Sequence, residues 1–148
     1  MSDVYDLERF VRAQQPLFER VRAELAAGEK ASHWMWFIFP QLRGLGTSAT
    51  ARRFGLSGLA EARAYLAHPL LGARLRECTR LVLAVEGRSV EEIFGYPDYL
   101  KLRSCLTLFA QAAAPDDGPE DRLFSEALAK YYSGEADPKT LALLTSAS

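Results

Sequence analysis

SHWMWFIFPQ, residues 32 to 41, is the one stretch of this chain open to reading as either a strand or a helix. It holds both tryptophans, Trp34 and Trp36, and one of the two histidines, His33. Aromatic residues and isoleucine favour strands, but a lone strand with no partner is not stable. The stretch is therefore expected to be helical, and with it the whole chain all-α. On helical spacing Trp34, Phe37, Ile38 and Gln41 share one side, while His33, Trp36 and Phe37 share another. A helix apolar on every side is normally buried on every side. The middle of the stretch is therefore expected in the core, with His33 and Gln41 at polar ends that can reach a cleft.

Outward from this stretch the punctuation is helical. On the N-terminal side, Asp6 is expected to cap a segment carrying Leu7, Phe10 and Val11 at i, i+3 and i+4, which Pro16 ends or bends. Leu17, Val21 and Leu25 then recur every four residues up to Gly28, placed as a C-terminal stop. Ser32 is read as the cap of the opening stretch. On the other side, LRGLGTSAT, 42 to 50, reads as a loop with two glycines, and Thr47 or Ser48 caps a short helix through Phe54. Ser57 is expected to cap the next, with Leu59, Ala62 and Leu66 inward. Pro69 suits the first turn of a longer helix bearing Leu71, Leu75, Cys78, Val82 and Val85.

Ser89-Val90-Glu91-Glu92 has the pattern of a capping box. Pro97 is read as the start of a helix striped by Leu102, Cys105, Leu106, Phe109 and Ala113. PDDGP, 115 to 119, resembles a linker but is too short to separate domains. Leu123, Phe124, Ala127, Leu128 and Tyr131 make another amphipathic helix, and Asp137-Pro138 opens a last one through Leu144. The expectation is one compact domain over 1–148, with seven to nine helices, an ordered core over about 6–144 and a frayed tail at 145–148.

Composition agrees with a packed domain. The chain has 148 residues, 49% hydrophobic and 25% charged, within the usual globular range. A chain of this length buries about 68–70% of its unfolded surface, so one core suffices. Eighteen Lys and Arg against nineteen Asp and Glu leave a formal charge of −1. That balance argues against nucleic acid or a membrane surface as the main partner, since both rest on a basic face. No apolar run nears the roughly 18 residues of a membrane span. Cys78 and Cys105 each sit in an apolar helical pattern, and no secretory h-region opens the chain. They are read as buried thiols of a reduced, cytoplasmic protein rather than as a disulfide. No Cys/His spacing points to a metal, and no cofactor is expected.

A few polar residues stand out against this background. Asp98 and Lys101 are i, i+3 neighbours and read first as a surface pair. Arg103 and Ser104 lie among Leu100, Leu102, Cys105 and Leu106. An arginine there snorkels outward, pairs with a buried carboxylate, or offers its fork to an anion. Lys101, Arg103 and Ser104 together are suited to a phosphate, though without the glycine framework of a P-loop. His68, before Pro69, reads as a junction residue between helices. His33 can both donate and accept hydrogen bonds, which suits either a helix end or an acid–base role.

DLERFVRAQ, SHWMWFIFPQLRGLGTS, the run LAHPLLGARLRE and IFGYPDYLKLRSCLTLF together resemble the bacterial family known as domain of unknown function 1810, over about Asp6 to Leu144. Some of its members carry the label calpastatin, yet inhibitors of that kind are extended and disordered, and this composition is that of a packed domain. The resemblance implies an all-α fold and no established activity, cofactor or catalytic residue. The second half is also similar, in its order of HP-L, a Gly turn, FG and Asp, to ADP-ribose-processing proteins of the NADAR type.

The expected function is a pocket for a nucleotide-like or phosphate-bearing small molecule. Trp34 and Trp36 would stack a planar ring, with Gln41, Lys101, Arg103 and Ser104 also binding. In an enzymatic version, an N-glycosidase acting on an ADP-ribose-like nucleotide, His33 or Asp98 would be acid or base. The alternative is a protein-interaction module without chemistry, in which the aromatics are core and the charges solvated.

Overall fold

The computed structural model describes residues 3–113, 118 and 120–146. Among these the chain forms ten helices: α1 (Glu8–Gln14), α2 (Phe18–Ala27), α3 (Met35–Ile38), α4 (Ala49–Phe54), α5 (Leu59–Ala67), α6 (Leu71–Ala84), α7 (Val90–Phe94), α8 (Asp98–Ala113), α9 (Leu123–Tyr132) and α10 (Pro138–Ser146). The only ladder pairing among them is a single parallel bridge between Leu42 and Leu56. The all-α expectation holds, with one more helix than the range allowed.

The apolar stripes end up where their spacing puts them. Leu102, Cys105, Leu106 and Phe109 of α8 are fully buried, as are Leu71, Leu75 and Cys78 of α6 and Val21 and Leu25 of α2. α8 is the central helix, packed against α5, α7, α9 and α10, while α6 lies against α2, α5 and α9. Phe10, Phe54, Phe37, Tyr65, Phe109 and Phe124 run through the core as a chain of tilted and edge-on rings. The Tyr132 hydroxyl donates to the Tyr99 carbonyl, fastening the end of α9 to the start of α8.

Several end signals work as their chemistry suggests. Ser48 accepts from the Ala51 amide, Ser89 and Glu92 make the reciprocal capping box, and Gly28 closes α2 in the left-handed region at φ 73°. Others need correcting. Asp6 does not cap α1; the carboxylate of Asp3 accepts from the Leu7 and Glu8 amides. Ser57 does not cap α5; its amide and hydroxyl donate to Glu61, and Gly58 takes the cap position. Pro69 and Pro97 stand just before α6 and α8 rather than inside them. The helix at the C-terminus runs through Thr145 to Ser146, so only 147 and 148 of the expected tail are left, outside the described residues. Of PDDGP, only Gly118 lies within them.

The opening stretch contains a single helical turn, α3, and Ser32 does not cap it. The shape here is set from outside. Glu24, on α2, accepts from the Ala31 and Ser32 amides, the Ser32 hydroxyl and the Trp34 indole N–H, at 2.6 to 3.0 Å. Trp34, Met35, Ile38 and Phe39 are buried. Beyond Pro40 the backbone pairs briefly with the segment before α5: Leu56 N–H donates to the Gln41 carbonyl and Arg43 N–H to the Leu56 carbonyl. That pairing aims the 42–46 loop across the start of α8.

Candidate functional site

The loop after Pro40, the first turns of α8 and the beginning of α10 enclose a cleft of about 250 Å³. Its walls carry Gln41 and Gly46 from the loop, Leu100, Lys101, Arg103 and Ser104 from α8, and Asp137 and Lys139 at α10. Helical spacing explains the α8 contribution: Leu100, Lys101, Arg103 and Ser104 lie on neighbouring turns of one side. Gly46 is required by space, since a Cβ there would lie 2.7 Å from the Ala51 Cβ. Gly44 makes the loop's turn at φ 105°, a conformation L side chains rarely adopt.

Not every polar group in the cleft is free. Arg103 is committed to structure: Nε donates to the Glu135 carbonyl and Nη2 to the Ala136 carbonyl, each at 2.9 Å. It therefore anchors the segment before α10. Ser104 Oγ donates to Asp137 Oδ2 at 3.0 Å, and the same oxygen accepts from the Thr140 amide and hydroxyl, capping α10. Asp137 N–H in turn donates to Thr107 Oγ1 at 2.8 Å. Among the described residues, the hydrogen bonds to the Asp137 carboxylate fall on Oδ2. Lys101 lies 3.8 Å from Asp98 Oδ1 and 5.2 Å from the Trp36 ring centre. Lys139 is exposed in the first turn of α10.

The structure thus brings together Gln41, Lys101, Arg103 and Ser104. It does not bring the other expected residues to the cleft. His33 is exposed and outside the lining. Trp34 is fully buried, with its indole N–H held by Glu24 and the Lys30 ammonium 4.8 Å from its ring centre, so it offers no wall to a ligand. Asp98 is held by Lys30 at 2.8 Å, through a lysine whose side chain is only 6% exposed. Trp36 is half-buried beside Gln41 and Gly46, in a recess of about 10 Å³ that is too small for a second ring. His68 has the expected junction role: its Nδ1 accepts from the Leu70 and Leu71 amides, joining α5 to α6.

Asp137 and Lys139 were missed as site residues because Asp-Pro-Lys reads only as a helix opening. Nothing in local spacing says that α10 returns to the start of α8. Glu24 and Lys30 were missed for the same reason, each being an ordinary charged residue until the fold closes over it. Among the described residues no cluster of His, Cys, Asp or Glu could hold a metal. No helix among them is long and apolar enough to cross a membrane.

Residues 4–144 match the family described as "Protein of unknown function (DUF1810)". No protein of curated function matches the chain. The fold is also similar to the crystal structure of the conserved hypothetical protein Rv1873 from Mycobacterium tuberculosis. The TM-score is 0.91 at 57% identity, covering 97% of this chain and 99% of that one.

Proposed function

We propose that this chain, which belongs to the DUF1810 family, binds a small phosphate-bearing molecule in the cleft between the 41–46 loop, α8 and α10. The observation that carries this reading is the convergence of Lys101 and Lys139 with the Gln41 amide on one concave surface. Two ammonium groups on one concave surface suit a phosphate, because their attractions to a shared anion add. The Asp137 carboxylate and the Gln41 side chain add an acceptor and a mixed donor–acceptor. Those groups suit the hydroxyls of a sugar phosphate or of a nucleotide-like molecule. A volume of about 250 Å³ suits a ligand near the small end of the usual pocket range.

The reading is one of binding rather than chemistry. Among the described residues Asp137 is the one carboxylate in the lining, and its Oδ2 already serves Ser104 and Thr140. The cleft therefore has one tethered acid where an N-glycosidase would call for a freely placed acid or base. A thermal-shift screen of sugar phosphates and nucleotides tests the proposal. A ligand at 100 times its Kd stabilises the folded chain by about 2.7 kcal/mol. That gain should vanish in Lys101→Ala and Lys139→Ala variants. No stabilisation by any phosphate compound, or undiminished stabilisation in both variants, would sink the idea.

A further inference from the structure

α1, the end of α4 and Arg43 surround a second concavity of about 380 Å³, which shares no lining residue with the cleft. Its lining is Tyr5, Asp6, Arg9, Arg12, Arg43, Arg52 and Arg53. Among the described residues five arginines thus meet a single lining carboxylate, in a chain whose overall charge is −1. Arg9 belongs to the frame. Its side chain is 8% exposed, paired with Glu61 at 3.0 Å, and its N–H groups donate to the carbonyls of Tyr5, Asp6, Arg53 and Gly55. One buried guanidinium thereby fixes the backbone of two walls, the turn before α1 and the end of α4.

The third wall is fixed by close approach. A Cβ on Gly55 would lie 2.7 Å from the Arg43 Cα, so Arg43 is pressed against the Gly55 backbone. The Gly55 carbonyl accepts from Arg9 Nη2 at 3.3 Å and from Arg43 Nη2 at 3.4 Å, which sets two guanidinium groups side by side. The remaining cations are little used. Arg12 is loosely paired with Asp6 at 3.8 Å and is 63% exposed, and Arg53 rests over the Phe54 ring. Arg52 is exposed in the last turn of α4. Guanidinium groups gathered on a rigid frame with so few acids repel one another unless an anion sits among them. Their forks match phosphate oxygens two at a time.

We propose that this arginine-lined concavity is a second binding site, specific for adjacent phosphates as in a di- or triphosphate, with Arg12, Arg43, Arg52 and Arg53 as ligands. Inorganic tripolyphosphate and a nucleoside triphosphate share that chemistry and serve as the two probes. Titration calorimetry on the full chain should show saturable binding of tripolyphosphate that weakens steadily with added salt. Arg12→Gln and Arg52→Gln should each weaken it about tenfold or more, the loss of one charge-assisted contact. Both residues are exposed, so unchanged melting temperatures should accompany the loss. Lys101→Ala and Lys139→Ala should leave this binding unchanged, which separates it from the cleft. Equal affinities for the two probes assign recognition to phosphate alone, whereas a tighter nucleoside triphosphate adds a base contact. The proposal is overturned by no saturable binding, by binding that survives both arginine substitutions, or by a loss that follows the lysines instead.

Discussion

Glu24 shows how one side chain sets the course of the most conspicuous segment in the chain. Burial works to raise its pKa. Hydrogen bonds from the Ser32 hydroxyl, the Ala31 amide, the Trp34 indole and the Ser32 amide outweigh that and hold it down to about 2, from an ordinary 4.5. A depressed carboxylate stabilises the fold above its unfolded pKa and loses that contribution as pH falls through the folded value. Glu24→Gln keeps the shape but removes the charge and turns one acceptor into a donor facing donors. It should lower unfolding free energy at pH 7 by about 1 to 3 kcal/mol. Denaturant titrations of both proteins from pH 7 downward should show the gap closing between about pH 4.5 and 2. A gap that stays constant across that range would mean that the charge of Glu24 plays no part. The same residue scale explains the fate of Trp34: an indole whose N–H is held by a carboxylate and whose ring is fully buried belongs to the core.

Between elements, α5 and α6 approach closely at a glycine. Gly72 lies in the first turn of α6, where a Cβ would stand 2.1 Å from the Leu66 carbonyl oxygen. Two effects oppose each other in Gly72→Ala. Alanine is better in a helix by about 1 kcal/mol, while forcing the helices apart costs about 1 to 3 kcal/mol or more. A contact of 2.1 Å with backbone cannot be relieved by rotating a side chain, so overpacking should win. Chemical denaturation should show net destabilisation; a more stable variant would mean that the helices part freely. The spacing of apolar residues made the long helices α2, α6, α8 and α9 readable, because each buries one stripe. For SHWMWFIFPQ, where residues on every side are apolar and periodicity carries no direction, the helical expectation holds only over the single turn Met35–Ile38, with its middle buried as expected. There an acceptor ten residues upstream of Trp34, on another helix, decides the conformation.

At the scale of the molecule, the core takes in both thiols. Cys78 and Cys105 are free and fully buried. Burial pushes the Cys78 thiol up to about 12 and that of Cys105 well above its ordinary value. Because the thiolate is the reactive form, neither should react with a disulfide reagent at pH 8 in the folded protein. Both should react once guanidinium unfolds it, and labelling in step with unfolding is the check. Rapid reaction of the native chain would contradict the packing.

The amino-acid sequence by itself determined the all-α class, the long amphipathic helices, the capping box at Ser89 and the burial of the cysteines. Each of these depends on residues within a few positions of one another. It also marked Gln41, Lys101, Arg103 and Ser104 as residues to watch. Only the tertiary structure decided that Lys139 and Asp137 join them, that Arg103 and Ser104 serve to hold α10 in place, that Trp34 is buried and that Asp98 is paired with Lys30. It alone gathered arginines from positions 9 to 53 into one concavity. The physical reason is range. Helix periodicity and capping act over three or four residues, whereas a cleft is made of groups brought together by the burial of apolar stripes whose partners lie far along the chain, as Tyr65 and Phe109 do.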